Sequence, residues 1–293
     1  MIVVHGGAGL VTPERQERLR AGVRAAAAMA HGLLARGASA LDAAVAAVRT
    51  LEDDPEMAAG IGSALTREGT VETCASVMDG ATRRVGAVAA VPDLAAPIVV
   101  ARAMLERGEQ VLLAGQAALR FAAEIGIPPA APGALITARA HEQLREWHAR
   151  GGTPGPGGEG GGVGAVVRDA AGNFAAATST GGTVFRRAGC VDDSAVPGIG
   201  TWADTDLAVS TSGGEAAFRV ALAHNIAHRV ADGASLRAAA KDVLVELRTL
   251  APDAVAGAIM VGKSSWAAIQ LGPAMPVAWI DGTGPGDAIG FPL

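Results

Sequence analysis

The chain has little of what disulfide-rich, nucleic-acid-binding and membrane-spanning proteins depend on. Its 293 residues include only two cysteines, Cys74 and Cys190, too few for a disulfide framework and typical of free thiols in a reducing cytoplasm. No run of Lys or Arg forms a phosphate-binding stripe, and the formal net charge is −5, which argues against a nucleic-acid partner. No uncharged apolar run is long enough to span a membrane. Glycine follows three apolar residues near the N-terminus without a basic segment, unlike a signal peptide. We therefore expect a cytoplasmic protein that binds neither nucleic acid nor membrane.

The histidines show no pattern that indicates a metal site. His224 and His228 are four residues apart on a predicted helix, but no glutamate follows His224 as it does in zinc proteases. We therefore predict no metal and no cofactor. His5 precedes a glycine cluster, and we expect it to be hydrogen-bonded in the core rather than catalytic.

The order of predicted elements favours helices packed on antiparallel sheets. Half of the residues are apolar, enough to bury a sizeable core. Helices and strands precede a Gly/Pro-rich linker at residues 150–162, and a β-hairpin, a strand, two helices and closing strands follow it. Ser39 is the predicted N-cap of one helix, residues 60–67 are predicted to be extended, and residues 215–230 are predicted to form a helix. Because this order is not a regular βαβ alternation, we predict an α+β fold.

The most specific pattern lies directly after the linker. Residues 163–182 read VGAVVRDAAGNFAAATSTGG, two apolar runs joined by a turn and typical of a β-hairpin. Shorter motifs precede and follow it in a fixed order: HGGAG at 5–9, SVMDG at 76–80, DS at 193–194 and VST at 209–211. Together these motifs, which extend over most of the chain, resemble the plant-type asparaginases and isoaspartyl peptidases, a family of N-terminal nucleophile (Ntn) hydrolases.

The resemblance implies a fold and an activity. The fold is a four-layer αββα sandwich, here as one domain with an α-chain-like part at 1–149 and a β-chain-like part at 163–293, often dimeric. The activity is hydrolysis of L-asparagine or β-aspartyl amides. In the family, a threonine after the linker cuts the Gly–Thr bond before it. It then serves as the N-terminal nucleophile, with its own α-amine as the base.

This chain departs from the family at the nucleophile itself. The aligned pair is Gly161-Gly162, so Gly162 takes the place of the threonine. Glycine offers no hydroxyl either to cut the chain or to attack an amide. Thr153 precedes Pro154 and stands too far from the hairpin to substitute. The sequence therefore predicts an uncleaved chain in which the nucleophile is lost.

The substrate-binding residues implied by the resemblance are also changed. Cys190 stands where the family has an Arg that holds the substrate's α-carboxylate by a bidentate contact. Asp193, which in the family holds the α-amine, is retained, and Asp192 adds a second carboxyl group. Arg186 and Arg187 lie just upstream as candidate replacements for the missing Arg.

The loop implied to stabilise the oxyanion differs as well. Gly213 replaces the family's donor threonine, whereas Gly214 still offers a backbone N–H, and Ser212 is a candidate to compensate. Ala58 stands where an asparagine is expected. Thr180 is retained and matches a second threonine of the site.

Three functional interpretations remain open. The first is a binding or accessory protein that has lost hydrolysis and keeps an amino-acid or β-aspartyl-type ligand. The second is a diverged enzyme that acts on another amide through Thr180, Ser212, Cys190 or water. A thiolate at Cys190 would need a lowered pKa, which two adjacent aspartates oppose. The third is an engineered precursor of a true asparaginase, which would explain Gly162 but none of the other departures.

Overall fold

The structure is a computed structural model that describes residues 1–151 and 161–293. Most of the predicted linker, including Thr153, lies outside these residues. The strands are β1 (Ile2–His5), β2 (Glu72–Asp79), β3 (Val85–Pro92), β4 (Leu112–Ala114), β5 (Val163–Arg168), β6 (Phe174–Thr180), β7 (Thr201–Ala203), β8 (Leu207–Ser212), β9 (Ala256–Gly262), β10 (Trp266–Leu271), β11 (Val277–Asp281) and β12 (Gly284–Ala288). The α-helices are α1 (Pro13–Ala35), α2 (Ala40–Glu52), α3 (Pro97–Arg107), α4 (Gly115–Glu124), α5 (Ala138–Ala149), α6 (Gly214–Phe218), α7 (Leu222–Ala231) and α8 (Leu236–Leu250).

The strands form two sheets. The larger sheet has the order β12-β11-β1-β5-β6-β2-β3-β4, and the smaller has the order β10-β9-β8-β7. Neighbouring strands are antiparallel except at one edge, where β3 and β4 are parallel. The predicted hairpin is confirmed: β5 pairs with β6 in the register Val163 to Ser179.

Alternating side chains along the strands build four layers. On β5, Ala165 and Val167 pack with helices α1 to α4, whereas Val166 faces the other sheet. On β8, Val209 packs with α7 and α8, whereas Ala208 faces back toward the larger sheet. Because successive side chains of a strand point to opposite faces, each sheet buries one face on helices and the other on its partner sheet. The predicted α+β sandwich with αββα layers is confirmed.

Local signals for the helix ends also agree with the structure. Thr12 precedes α1, and Pro13 occupies its first turn, where a missing N–H costs nothing. The Ser39 hydroxyl accepts the N–H of Asp42 at 3.1 Å, which confirms the predicted cap of α2. Among the described residues, no helix combines the length and the apolar character needed to cross a bilayer.

Two predicted elements are wrong, and both fail because of tertiary packing. Residues 60–67 are not a strand: they begin with a short 3-10 helix at Gly60–Gly62, and a Cβ on Gly62 would lie 1.8 Å from the carbonyl oxygen of Met57. The helix predicted at 215–230 is broken at Ala221, whose φ is 45°. The break lets α7 begin by donating N–H groups to carbonyls of the loop at 198–199. Helix α5 and strands β4, β7 and β12 were not predicted.

Candidate functional site

A cavity of about 450 Å³ lies where several strand ends meet. Because β1, β5 and β6 are antiparallel neighbours, the last residues of β1, the first residues of β5 and the last residues of β6 lie side by side at one end of these strands. In the smaller sheet, the last residues of β8 and the first residues of β9 pair in the same way, and these strand ends form the other side of the cavity. The cavity is lined by most of the predicted site residues: Gly162, Thr180, Ser212, Gly213 and Gly214.

Gly162 is closely surrounded at the open end of the hairpin. A Cβ at this position would lie 2.6 Å from the carbonyl oxygen of Ser179, 2.8 Å from Cβ of Thr180 and 3.0 Å from Oγ of Ser194. The first two separations are shorter than real contacts allow. Any side chain at Gly162 therefore requires the backbone around it to move.

The glycine cluster near the N-terminus holds the two sides of the cavity together. Ala8 accepts the N–H of Gly161 at 3.2 Å and donates its own N–H to Oγ of Ser212 at 3.0 Å. Gly7 has a φ of 90°, and a Cβ there would lie 2.3 Å from the carbonyl oxygen of Gly161. Only glycine combines this backbone conformation with such a close approach. The HGGAG segment is thus part of the cavity wall.

His5 belongs to the core, as predicted, and not to the cavity lining. Its Nδ1 accepts the N–H of Gly7 at 3.2 Å, and its Nε2 lies 3.1 Å from Oγ of Ser210. This pattern assigns the ring proton to Nε2, which donates to the serine. Complete burial lowers the pKa of His5 to about 3, so the ring stays neutral near pH 7.

The two hydroxyl groups predicted for the site, those of Thr180 and Ser212, have no activating base among the described residues. Oγ1 of Thr180 accepts the N–H of Gly182 at 2.8 Å, and Oγ of Ser212 accepts the N–H of Ala8. Neither hydroxyl is hydrogen-bonded to a histidine, lysine or carboxylate within the described residues. A serine or threonine nucleophile needs such a partner to lose its proton. Thr180 and Ser212 therefore fix the backbone of Gly182 and Ala8 by accepting their N–H groups.

The predicted oxyanion loop is partly occupied by an internal contact. The N–H of Gly213 donates to Oδ2 of Asp193 at 3.0 Å and so is directed away from the cavity. Gly214, with a φ of 53°, begins α6 at the cavity wall. Of the two glycines, Gly213 therefore has its backbone donor already engaged.

Asp193 lies behind the cavity wall, whereas Asp192 lines it. Asp193 is only 2% exposed, and its Oδ1 accepts the hydroxyl of Ser194 at 3.4 Å. Burial, followed by the neighbouring Asp192 carboxyl, raises the pKa of Asp193 well above its ordinary value. Of these two aspartates, Asp192 is the one whose carboxyl group a ligand in this cavity would meet.

Cys190 lines a second cavity, of about 760 Å³, beside the first. Its Sγ lies 3.5 Å from Oε1 of Glu215. Burial, then the Glu215 carboxylate and the charge of Asp192, raise the pKa of the thiol to about 11. A reactive cysteine requires the opposite environment. The thiol is therefore protonated near neutral pH.

Comparison with known proteins identifies the family to which this chain belongs. A family model described as asparaginase (Asparaginase_2) matches residues 1–284. The chain belongs to the asparaginase family. It is 40% identical over 284 residues to the isoaspartyl peptidase/L-asparaginase of Bos taurus and to that of Homo sapiens, covering 95% of this chain and 92% of each relative. The isoaspartyl peptidase/L-asparaginase of Danio rerio is 37% identical over 288 residues, 93% of each chain. The family resemblance predicted from the sequence motifs is confirmed.

Several lining residues of this asparaginase-family chain have no recognisable sequence signal. Glu215 and Asp253 contribute carboxyl groups to the first cavity. Arg67, Trp147 and Phe185 line the second cavity. They come from segments far apart along the chain, although Glu215 directly follows Gly214 and Phe185 directly precedes Arg186. The described residues contain no group of three or more His, Cys, Asp or Glu side chains that could hold a metal ion.

Proposed function

We propose that this asparaginase-family protein binds an amino-acid or β-aspartyl-type ligand in the first cavity without hydrolysing it by the N-terminal threonine mechanism. The observation that carries the proposal is Gly162, which occupies the place of the nucleophile and has no room for a side chain. Without a hydroxyl at this position, the chain lacks both the group that would cut the linker and the group that would attack an amide.

The candidate replacement nucleophiles do not favour a diverged hydrolase. The raised pKa of Cys190 keeps its sulfur protonated, and Thr180 and Ser212 accept backbone N–H groups without a hydrogen bond to any base in the described part of the chain. The histidine closest in sequence to the glycine cluster, His5, is committed to Ser210 in the core. These contacts support ligand binding over a substituted catalytic residue.

The changes at the substrate anchors support the absence of the family's ordinary hydrolysis. Cys190 supplies no cation for a substrate α-carboxylate, and Asp193, implied by the resemblance to hold the α-amine, is buried behind Asp192. The N–H of Gly213 is engaged by Asp193, so an oxyanion would lose one donor. Following the resemblance, we also propose a cytoplasmic homodimer, which light scattering and cell fractionation would test.

The purified protein is expected to remain one chain and to release no ammonia from L-asparagine or β-aspartyl dipeptides. A denaturing gel should show a single band near 29.1 kDa, and an ammonia assay should match the buffer blank. Two smaller bands, or turnover like that of an active isoaspartyl peptidase measured beside it, would contradict the proposal.

Restoring the threonine is expected to rescue neither cleavage nor hydrolysis. In Gly162→Thr the new Cβ would press on Ser179 and Thr180, and the changes at Cys190 and Gly213 would remain. Gly162→Ser is the smaller hydroxyl variant and Gly162→Ala the matched control without a hydroxyl, each checked for folding by thermal unfolding. If a folded Thr or Ser variant cuts itself and releases ammonia while the Ala variant does not, the remainder of the site is intact and the proposal fails.

A further inference from the structure

The two neighbouring cavities have opposite chemistry. The first is lined by three carboxyl side chains, those of Asp192, Glu215 and Asp253, and by no Lys or Arg among the described residues. Such a surface favours an ammonium group and disfavours a carboxylate. An α-amino acid carries both charges on one carbon and matches this cavity poorly.

The second cavity is lined by three arginines, Arg67, Arg186 and Arg187, against the single carboxyl group of Glu215. The side chain of Arg187 is exposed and makes no hydrogen bond or ion pair to another described residue, although the backbone carbonyl of Arg187 accepts the N–H of Cys190 at 3.3 Å. Arg186 is 9% exposed and donates to the carbonyl oxygens of Gly181 and Glu72, and its Nε has no hydrogen-bond partner in the described residues. These guanidinium groups are suited to a carboxylate.

The same cavity offers an aromatic surface. The ring of Phe185 stacks on that of Trp147, with centroids 5.5 Å apart, and the Arg67 guanidinium lies 5.1 Å from the Phe185 centroid. Phe185 is held in a left-handed conformation, φ 67°, by hydrogen bonds to Leu65 and from Arg67. A bulky residue in this conformation is strained, and such strain concentrates at ligand-binding segments. A planar ring of a ligand would pack here.

The cavities share Thr183 and Glu215 in their walls and therefore adjoin each other. We propose that the ligand is a dipeptide-like zwitterion with its ammonium group beside Asp192 and an aromatic side chain and C-terminal carboxylate beside Arg187. This inference rests on the proposed function, in that the ligand occupies the same non-hydrolytic cavity, and it narrows the β-aspartyl-type ligand proposed there to a related dipeptide whose first residue lacks the α-carboxylate. An extended dipeptide spans about 7 Å, so its two charges are well separated, unlike those of a single α-amino acid.

The first residue of this ligand has no α-carboxylate. With Cys190 in place of an arginine and three carboxyl groups nearby, a β-aspartyl residue would bring its extra carboxylate against like charge. A β-alanyl residue keeps the same chain length and the ammonium group without that carboxylate. The probe that best represents the proposed class is therefore β-alanyl-phenylalanine.

Calorimetric titration of the full chain at pH 7 tests the proposal. β-Alanyl-phenylalanine should bind more tightly than β-aspartyl-phenylalanine, its own C-terminal amide or L-asparagine. Arg187→Gln should weaken the free acid about fivefold, the effect expected of an exposed ion pair, and leave the amide unchanged. Arg36→Gln, at an exposed arginine far from both cavities in sequence, is the matched control and should change neither.

The outcomes separate this inference from the proposed function. Asparagine binding as tightly as β-alanyl-phenylalanine, or an Arg187→Gln variant that weakens acid and amide equally, would overturn the zwitterion proposal while leaving a non-hydrolytic binding protein. Tight binding of β-alanyl-phenylalanine followed by its hydrolysis would support the ligand class and overturn the proposed absence of catalysis.

Discussion

Replacing Glu52 with glutamine is expected to make the free energy of unfolding much less sensitive to alkaline pH. Glu52 is completely buried at the end of α2. Its Oε1 accepts the hydroxyl of Ser179 at 2.6 Å and the N–H of Ile98 at 3.0 Å, whereas its Oε2 has no hydrogen-bond partner among the described residues. The guanidinium of Arg49 lies 3.6 Å away. Burial outweighs these contacts and raises the pKa of Glu52 to about 8.

The sign of the effect follows from the two pKa values. Glu52 has a pKa of about 8 in the folded chain and an ordinary value of 4.5. The protonated carboxyl therefore stabilises the fold fully below the unfolded value, and this stability is lost as the pH rises through the folded value. The loss is about 3–5 kcal/mol, since each pKa unit corresponds to about 1.4 kcal/mol. Glutamine is neutral throughout and retains an oxygen acceptor for Ser179.

Urea unfolding at pH 5 and pH 9 measures this effect. Wild type should lose stability between the two values by more than Glu52→Gln does, and Glu109→Gln, at an exposed position on the same half of the chain, should behave like wild type. Parallel pH dependence in wild type and Glu52→Gln would show that the carboxyl does not titrate as argued. The result matters for the site because Glu52 anchors Ser179, whose carbonyl faces Gly162.

Gly164→Ala is expected to destabilise the protein by about 3–5 kcal/mol, the range of a core substitution that both overpacks and breaks buried hydrogen bonds. A Cβ at Gly164 would lie 2.0 Å from Oγ of Ser210 and 2.5 Å from Nε2 of His5. Ser210 is also 2.7 Å from Oγ1 of Thr178, which receives a further bond from the Thr201 hydroxyl at 2.7 Å. This buried chain of polar groups connects the two sheets behind the cavity.

Denaturant unfolding of Gly164→Ala beside Gly32→Ala provides the comparison. Gly32 lies within α1, where an added Cβ meets only the flexible end of Arg36 at 3.6 Å. Alanine there should stabilise the protein by about 0.5–1 kcal/mol because of its higher helix propensity. If Gly164→Ala falls within about 1 kcal/mol of wild type, the close packing around Ser210 is not what the structure indicates.

Much of the fold was predictable because it depends on short-range patterns. The β5–β6 hairpin follows from two apolar runs around a turn, and the start of α2 follows from the Ser39 cap. The two wrongly predicted elements depend on contacts that the local sequence does not show. The interruption at Ala221 allows the first N–H groups of α7 to donate to the carbonyls of the distant loop at 198–199. The 3-10 helix at Gly60–Gly62 forms where glycine permits contact with the backbone of residues 52 and 57.

The candidate site was likewise predictable from the sequence only in part. The position of Gly162 beside Thr180 follows from hairpin register, which a sequence pattern specifies. The contacts of Cys190 and Asp193, in contrast, could not be predicted from any sequence pattern. The burial of Asp193 under Gly213, and the meeting of Cys190 with Glu215, depend on how separate loops pack.

Motifs of consecutive residues were enough to predict the family, the layered fold that the family implies, and the glycine in place of a threonine at position 162. The packing of distant segments adds three features: a side chain at Gly162 requires the surrounding backbone to move, the pKa of the Cys190 thiol is raised, and an acidic cavity adjoins a basic, aromatic one. Steric room, pKa values and the charge of a cavity are set by groups that are close in space, whatever their separation along the chain, so a local sequence pattern does not contain them.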